Sequence, residues 1–478
     1  MSSVPSSTPD DVARFLGLVR RGHFRRGDPV FVSRAPGRLD LMGGIADYPG
    51  SLVFELPLAA ATLVAAQLSR DRTVRVHTHG NSSVGYTSEA EFALDAVDAA
   101  IAAPDYSRGH SEFTHDRRLR WASYVIGTML VLGREKGARF HEGLRLVVDS
   151  AVPAGKGVAS SAALEVAAMQ AICAAYEIEI DGHELAILCQ KTENLVVGAP
   201  CGIMDQMTSA CGEQNRLLAL KCQPAEIVGQ VLLPDGLEVW GIDSGVRHEV
   251  GGADYGAVRV GAFMGYRIIA ELAGLAVTDR GDGYVDVDDP RWRGYLANLS
   301  PDEWSREFRD RVPLGMNGAA FLERYRGITD RVTRVDPNRS YAIRQPTEHP
   351  ILENDRVERY RRLLESGART DSERVALGDL MYASHESYSA CGLGSSGTDA
   401  LVDLIREAGP RAGLYGAKIT GGGSGGTVAV LARAGSRSRI DELAARYSRE
   451  SGRVSSVLGG SSSGATAFGT VKVDLAPL

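Results

Sequence analysis

The stretch that decides the fold is LRLVVDSAV (144–152), followed by Pro153-Ala-Gly155-Lys156-Gly157-Val-Ala-Ser160-Ser161 and the alanine-rich AALEVAAMQAICAAYEI (162–178). The first segment is apolar and predicts a strand; the last predicts a helix whose small side chains let it pack closely on its neighbours. A glycine loop between strand and helix can lay backbone N–H groups and a helix N-terminus around a phosphate. It is not a Walker A loop, because Gly157 rather than Ser or Thr follows Lys156. It is not a dinucleotide fingerprint either, because the third glycine and the acidic partner of a βαβ unit are missing. Taken alone, it reads equally as a glycine turn with a serine N-cap and as a phosphate cradle.

Upstream, FVSRAPGR (31–38) predicts a strand running into a turn-rich segment, VRVHTH (74–79) an alternating strand, and RWASYVIGTMLVLGREKG (120–137) a helix. Residues 1 to about 29 read as a flexible N-terminal tail carrying a short helix. Downstream, DGHELAILCQKTENLVVG predicts a helix capped by Asp181 and ending near Gly198, LEVWGIDSG (237–245) a strand, and residues 255–275 a long helix. Residues 276 to about 350 are weakly periodic, rich in Arg, Asp and Pro, and predict an insertion with short helices. Helices near 353–366, 372–390 and 396–409 precede a strand–loop–strand over 416–431, and GGSSSG (459–464) reads as a flexible turn. Mixed strands and helices without regular βαβ alternation favour an α+β fold over a doubly wound sheet.

Composition narrows the function. The 53 Lys and Arg against 60 Asp and Glu give a net charge of −7 with no long single-sign run, which argues against a general nucleic-acid binder. The longest apolar run, Leu56 to Ala66, is too short to span a membrane, and the N-terminus lacks a signal-peptide core, so neither membrane nor export is expected. The six cysteines have no CxxC spacing and predict buried, reduced thiols of a cytoplasmic protein. Glycine, 55 of 478 residues, is about 12% against an ordinary ~7%, so its clusters require explanation.

Four further features can carry chemistry. Glu193, in the second helix after the glycine loop, either meets the hydroxyls of Ser160 and Ser161 around a magnesium ion or is a solvated surface residue. Asp205, in CGIMDQMTSA, is either a pocket carboxylate at a helix start or a simple cap. Arg34 and Arg38 flank a proline turn, where an Arg can stabilise a buried carboxylate. The cluster Thr420-Gly421-Gly422-Gly423-Ser424-Gly425-Gly426 joins two strands and predicts close approach to a ligand or another loop.

Together, RAPGRLDLMGGIADYPG (34–50), PAGKGVASSAALEVA (153–167) and GAKITGGGSGGTVAVL (416–431) resemble, in order and spacing, the three motifs of the GHMP small-molecule kinase superfamily. The galactokinase branch is the nearest match, supported by APCGIMDQ (199–206) and SGVRHEVGGADYGAVR (244–259); GIADY, APCGIMDQMTSACGE and YSACGLGSSGTDALV are more similar still to its L-arabinose kinases. The resemblance implies a two-lobed α+β kinase with the active site between the lobes: residues 30–225 as first lobe, 226–478 as second with the insertion near 276–350. It implies ATP and Mg²⁺, with Gly155, Gly157, Ser160, Ser161, Gly422 and Gly423 for the nucleotide, and Ser161 with Glu193 for the metal. Trp121 is implied near the adenine, helix-face packing being its alternative. Asp205 is implied as the catalytic carboxylate facing the anomeric hydroxyl, Arg38 as its charged neighbour, and Asp47, Gly202 and Tyr255 as sugar contacts.

One departure is informative. Gly44 and Ile45 stand where galactokinases carry the Glu and His that hold the C6 hydroxyl of galactose, and an unpaired buried hydroxyl costs on the order of 1–3 kcal/mol. L-Arabinopyranose keeps the galactose ring stereochemistry without the CH₂OH group, so the expected reaction is transfer of the ATP γ-phosphoryl group to its anomeric hydroxyl. A galactokinase or other sugar-1-kinase is the alternative, and a noncatalytic sugar- and ATP-binding regulator a third, which the serines, Glu193 and Asp205 argue against. Monomer and homodimer stay undecided.

Overall fold

The computed structural model describes residues 10–79, 86–247 and 253–475. Its first sheet is built on two long antiparallel strands, β1 (Pro29–Met42) and β2 (Leu52–Ser69). β3 (Thr73–His79), β4 (Glu89–Ala93) and β5 (Gly143–Ser150) extend one half of β2 in the order β2–β5–β3–β4, with β5 and β3 parallel. β6 (Arg216–Lys221) and β7 (Glu226–Leu232) extend the other half.

The expected strand over 31–38 runs on through LDLM (39–42), where a turn-rich segment was expected. Proline and glycine are accommodated by register shifts between Pro36 and Arg38 and between Asp40 and Met42, where extra residues bend the strand rather than end it. At Gly37 a Cβ would stand 2.6 Å from the Val158 carbonyl oxygen, so the glycine lets β1 touch the glycine loop over 153–161. The expected tail contains α1 (Asp10–Val19), whose Val12, Phe15, Leu16 and Val19 are buried against Val32, Leu63 and Val473; residues 1–9 lie outside the described residues.

α2 (Arg120–Lys136), α3 (Ser160–Ala175), α4 (Gly182–Lys191) and α5 (Met204–Cys211) cover one face of this sheet. Alanines dominate α3 because it is buried on nearly every side, between β1, β2 and α2. Asp181 caps α4, its side chain accepting from Glu184 N–H, and a π-helical turn, Thr192–Val197, carries α4 on to Gly198.

The second sheet begins with β8 (Leu237–Asp243). From it the chain runs through α6 (Ala253–Leu272), the long helices α7 (Arg344–Glu365) and α8 (Asp371–Ala390), and α9 (Ser396–Ala408). β9 (Leu414–Ile419), β10 (Thr427–Arg433), α10 (Arg437–Ser451) and β11 (Val457–Leu458) follow, and the sheet order is β9–β10–β8–β11. α7 starts nine residues before the expected helix, because Pro346 lies in its first turn and Pro350 is tolerated inside it. β12 (Val471–Asp474) returns to pair with β1. The first sheet therefore takes in β7 and β12, both beyond residue 225.

The insertion holds more than short helices. Hairpin Ala276–Gly281/Tyr284–Asp288 and pair Gly315–Asn317/Ser340–Ala342 accompany a core of Trp292, Trp304, Phe308, Phe321 and Tyr325 packed on α6. The expected flexible turn GGSSSG is pinned: Ser462 Oγ accepts from Arg34 and donates to the Leu58 carbonyl, and Gly464 N–H donates to Gly212. All six cysteines are free, Cys201 and Cys211 being only half-buried.

Candidate active site

A cleft lined by Arg38, Asp47, Gly157, Ser161, Glu193 and Asp205 lies between the two lobes. Its floor is the loop from β5 to α3. Gly155 and Gly157 have φ near +69° and +68°, and Ala159, at +59°, takes the left-handed conformation just before the first turn of α3. That geometry turns the loop so that Gly155, Gly157, Ser160 and Ser161 all face the cleft at a helix N-terminus.

Arg38 organises the opposite side. Its guanidinium is buried, donates from Nε and Nη2 to Asp205 Oδ1 at 3.0 and 2.7 Å, and from Nη1 to the Gly157 carbonyl at 2.6 Å. Glu55, fully buried on β2, stands 3.2 Å from Arg38 Nε as an ion pair, and neither of its oxygens accepts a hydrogen bond. Burial opposes the charge on Arg38, but Asp205, Glu55 and Asp40 outweigh it and its pKa is raised. Asp205, in the first turn of α5, keeps its carboxylate at the cleft surface.

Two cleft carboxyls are shifted strongly. Burial, then repulsion from Asp205, pushes Asp47 up to about 7, with Arg259 opposing. The same two causes push Glu193, on the π turn, up to about 7, while a Ser161 hydrogen bond opposes. Gln206 Nε2 joins Glu193 Oε2 at 2.7 Å to Glu165 Oε2 at 3.2 Å, and Glu165 Oε1 is buried without a partner. A serine hydroxyl and carboxylates that are costly to ionise without a cation form a donor set that fits Mg²⁺. Ser161 and Glu193 would hold it at the cleft wall, with Glu165 behind.

Ile45, Asp47, Gly202 and Tyr255 also line the cleft. Gly202 is required by Asp47: a Cβ there would fall 1.7 Å from Asp47 Oδ2. Gly44 does not line the cleft. It lies behind the wall at φ +46°, and a Cβ would collide with the Tyr388 hydroxyl at 1.5 Å. That hydroxyl accepts from Ile45 N–H at 2.7 Å and donates to the Gly421 carbonyl at 3.1 Å, so Tyr388 occupies the volume of the missing side chain and ties the first motif to the third.

In the third motif Gly422 lines the cleft, whereas Gly423 packs against Leu393 outside it. Trp121 also lies away from the cleft lining, half-buried against the first-lobe core, its indole N–H buried without an acceptor.

Three family models match the chain: the galactokinase galactose-binding signature over residues 21–68, the GHMP kinases N terminal domain over 123–213 and the GHMP kinases C terminal domain over 372–453. A galactokinase of Chloroflexus aggregans is 31% identical over 420 residues, 87% of each protein. The chain belongs to the GHMP kinase family. This GHMP kinase is also 45% identical to the L-arabinokinase of Arabidopsis thaliana over 95% of its own length, and it spans 47% of that relative. The galactokinase of Lactococcus lactis complexed with galactose shares its fold, with a TM-score of 0.72 at 20% identity over 97% of this kinase and the whole of that chain.

Sequence reasoning missed Glu55, Glu165, Gln206, Tyr388 and the pair Arg259–Asp330. Arg259 grips Asp330 of the insertion through two bonds of 2.8 and 2.9 Å and donates to the Cys201 carbonyl, fixing the loop that carries Gly202. The signal for Arg259 was its place one helical turn after Tyr255; nothing local marks Asp330 as its partner.

Proposed function

We propose that this GHMP kinase transfers the ATP γ-phosphoryl group to the anomeric hydroxyl of L-arabinose, giving L-arabinose 1-phosphate and ADP. The observation that carries the reading is the double engagement of Arg38. One guanidinium holds the Asp205 carboxylate on the acceptor side and the Gly157 carbonyl on the donor side, so the two substrates' anchors are registered through a single rigid group. Phosphoryl transfer through a loose transition state depends on such positioning and charge neutralisation.

Asp205 orients the anomeric hydroxyl and receives its proton, while Arg38 offsets charge next to the transferred group. The loop N–H groups at the start of α3 bind phosphate oxygens. The metal, when bound, neutralises phosphate charge; Ser161 and Glu193 supply its protein oxygens. Asp47 and Tyr255 contact ring hydroxyls. Ile45 presents no side-chain polar partner to an exocyclic hydroxyl, which supports a pentose, as does the 45% identity to a protein named L-arabinokinase. Free thiols throughout fit a reducing, cytoplasmic setting.

The test is ADP release with MgATP and L-arabinose, D-galactose and other pentoses and hexoses at matched concentrations. A clear preference for L-arabinose is expected. Preference for galactose would refute the pocket argument but keep the chemistry, and no turnover with any sugar would favour a binding-only protein.

A further inference from the structure

Away from the cleft, the first lobe brings three imidazoles together. His77 and His79 are two residues apart on β3 and so project from one face of the strand, while the intervening Thr78 is buried on the other. His23, after α1, closes over them: its ring stacks on His77 at 4.3 Å and meets His79 edge-on at 5.1 Å, with His77 and His79 4.6 Å apart. One ring nitrogen from each residue lies within 4.8 Å of the other two.

These contacts are poorly explained as packing alone. His77 Nδ1 and His79 Nε2 are shut off from solvent without a hydrogen-bond partner, a costly arrangement for polar atoms. Glu89 of β4 stands 3.4 Å from His77 Nδ1, too poorly aligned for a hydrogen bond. Burial first, and then the neighbouring imidazoles, hold His23 below the ordinary histidine pKa; burial and then His77 do the same for His79.

We propose that His23, His77 and His79 form a binding site for a divalent first-row transition ion of the zinc type, with Glu89 as the carboxylate that orients His77. Three imidazoles without thiolates suit zinc, nickel or copper rather than magnesium or calcium. Tetrahedral ligation at about 2.0–2.1 Å needs nitrogens roughly 3.4 Å apart, which side-chain rotation of about an ångström supplies. His23 and His77 line a surface cleft together with Arg75, Glu89, Glu91 and Arg145, which gives the ion a path to two of the three imidazoles. It has no residue in common with the catalytic cleft, so it ties the segment after α1 to the sheet independently of phosphoryl transfer.

The experiment uses the full chain without a polyhistidine tag, stripped with chelator and then titrated with Zn²⁺ against a chromophoric competitor and, separately, with Co²⁺. One equivalent of Zn²⁺ is expected to bind more tightly than about 1 μM, and Co²⁺ to give the intense visible bands of four-coordinate nitrogen ligation. His79→Asn and His23→Asn should each weaken Zn²⁺ at least ~100-fold and Glu89→Gln about 10–100-fold, with kinase turnover unchanged. Should His79→Asn fail to fold by circular dichroism, His23→Asn and the wild-type Co²⁺ spectrum decide. Weak octahedral Co²⁺ absorption, or Zn²⁺ affinity indifferent to these substitutions, would overturn the site.

Discussion

Asp47 and Glu193 are held near pKa 7 against ordinary values of 3.8 and 4.5, so the ligand-free folded state grips their protons more tightly than the unfolded chain does. The stability this contributes is full below about pH 4 and is lost as pH rises through about 7. The melting temperature of the ligand-free protein should therefore decline between pH 5 and pH 8, and Asp47→Asn or Glu193→Gln should flatten that decline; an unchanged slope in both variants would mean that neither carboxyl is shifted. Asp205→Ala is expected to lower turnover by ~10² or more while leaving ATP binding largely intact, read by ADP release beside equilibrium titration. Gly202→Ala should raise the sugar KM at least about tenfold with little change in the ATP KM, because the new methyl displaces the Asp47 carboxylate. Arg38, Asp47, Asp205 and Gly202 were legible in the sequence because each lies inside a short motif. Glu55, Glu165 and Asp330 were not: each acts through a partner far along the chain, and no local spacing records such a pairing.

At the level of elements, the strand–loop–helix around residues 144–175 was readable because β-branched runs, a glycine loop and an alanine-rich helix leave little choice of conformation. β1 was only half readable. Pro36 and Gly37 carry the composition of a turn, and only pairing with β2 shows that the strand absorbs them as a bulge. The insertion's strands escaped notice because three to six residues are too few to display a period. Gly37→Ala should destabilise the chain by about 1–3 kcal/mol in urea unfolding, since its methyl would press on the Val158 carbonyl and Val152 and push β1 off the glycine loop. Tyr388→Phe should cost a similar ~1–3 kcal/mol by stranding Ile45 N–H, and shift the balance of sugars accepted, because the wall behind Ile45 loses its tie to the glycine loop at Gly421. Equal stability and an unchanged sugar profile would make that hydroxyl incidental.

Across the whole molecule, Asp40 on β1 and Lys418 on β9 form a completely buried ion pair at 2.5 Å that joins the two sheets. Lys418→Met should destabilise folding by about 3–5 kcal/mol by leaving a buried charge alone, and Asp40→Asn in the same chain should restore part of the loss. The two-lobed outline was legible from motif order, whereas the boundary near 225 was not, because β7 joins the first sheet through a pairing with β6 that its short sequence does not advertise. The glycine loop after β5 belongs to both lobes: the Lys156 carbonyl accepts from Thr427 N–H, and Lys156 Nζ reaches Asp243 at 2.9 Å, while Arg38 holds the Gly157 carbonyl from the first lobe. The loop is thus fixed from both lobes at once, and under the proposed reading the donor's phosphates would be held by a segment that neither lobe carries alone.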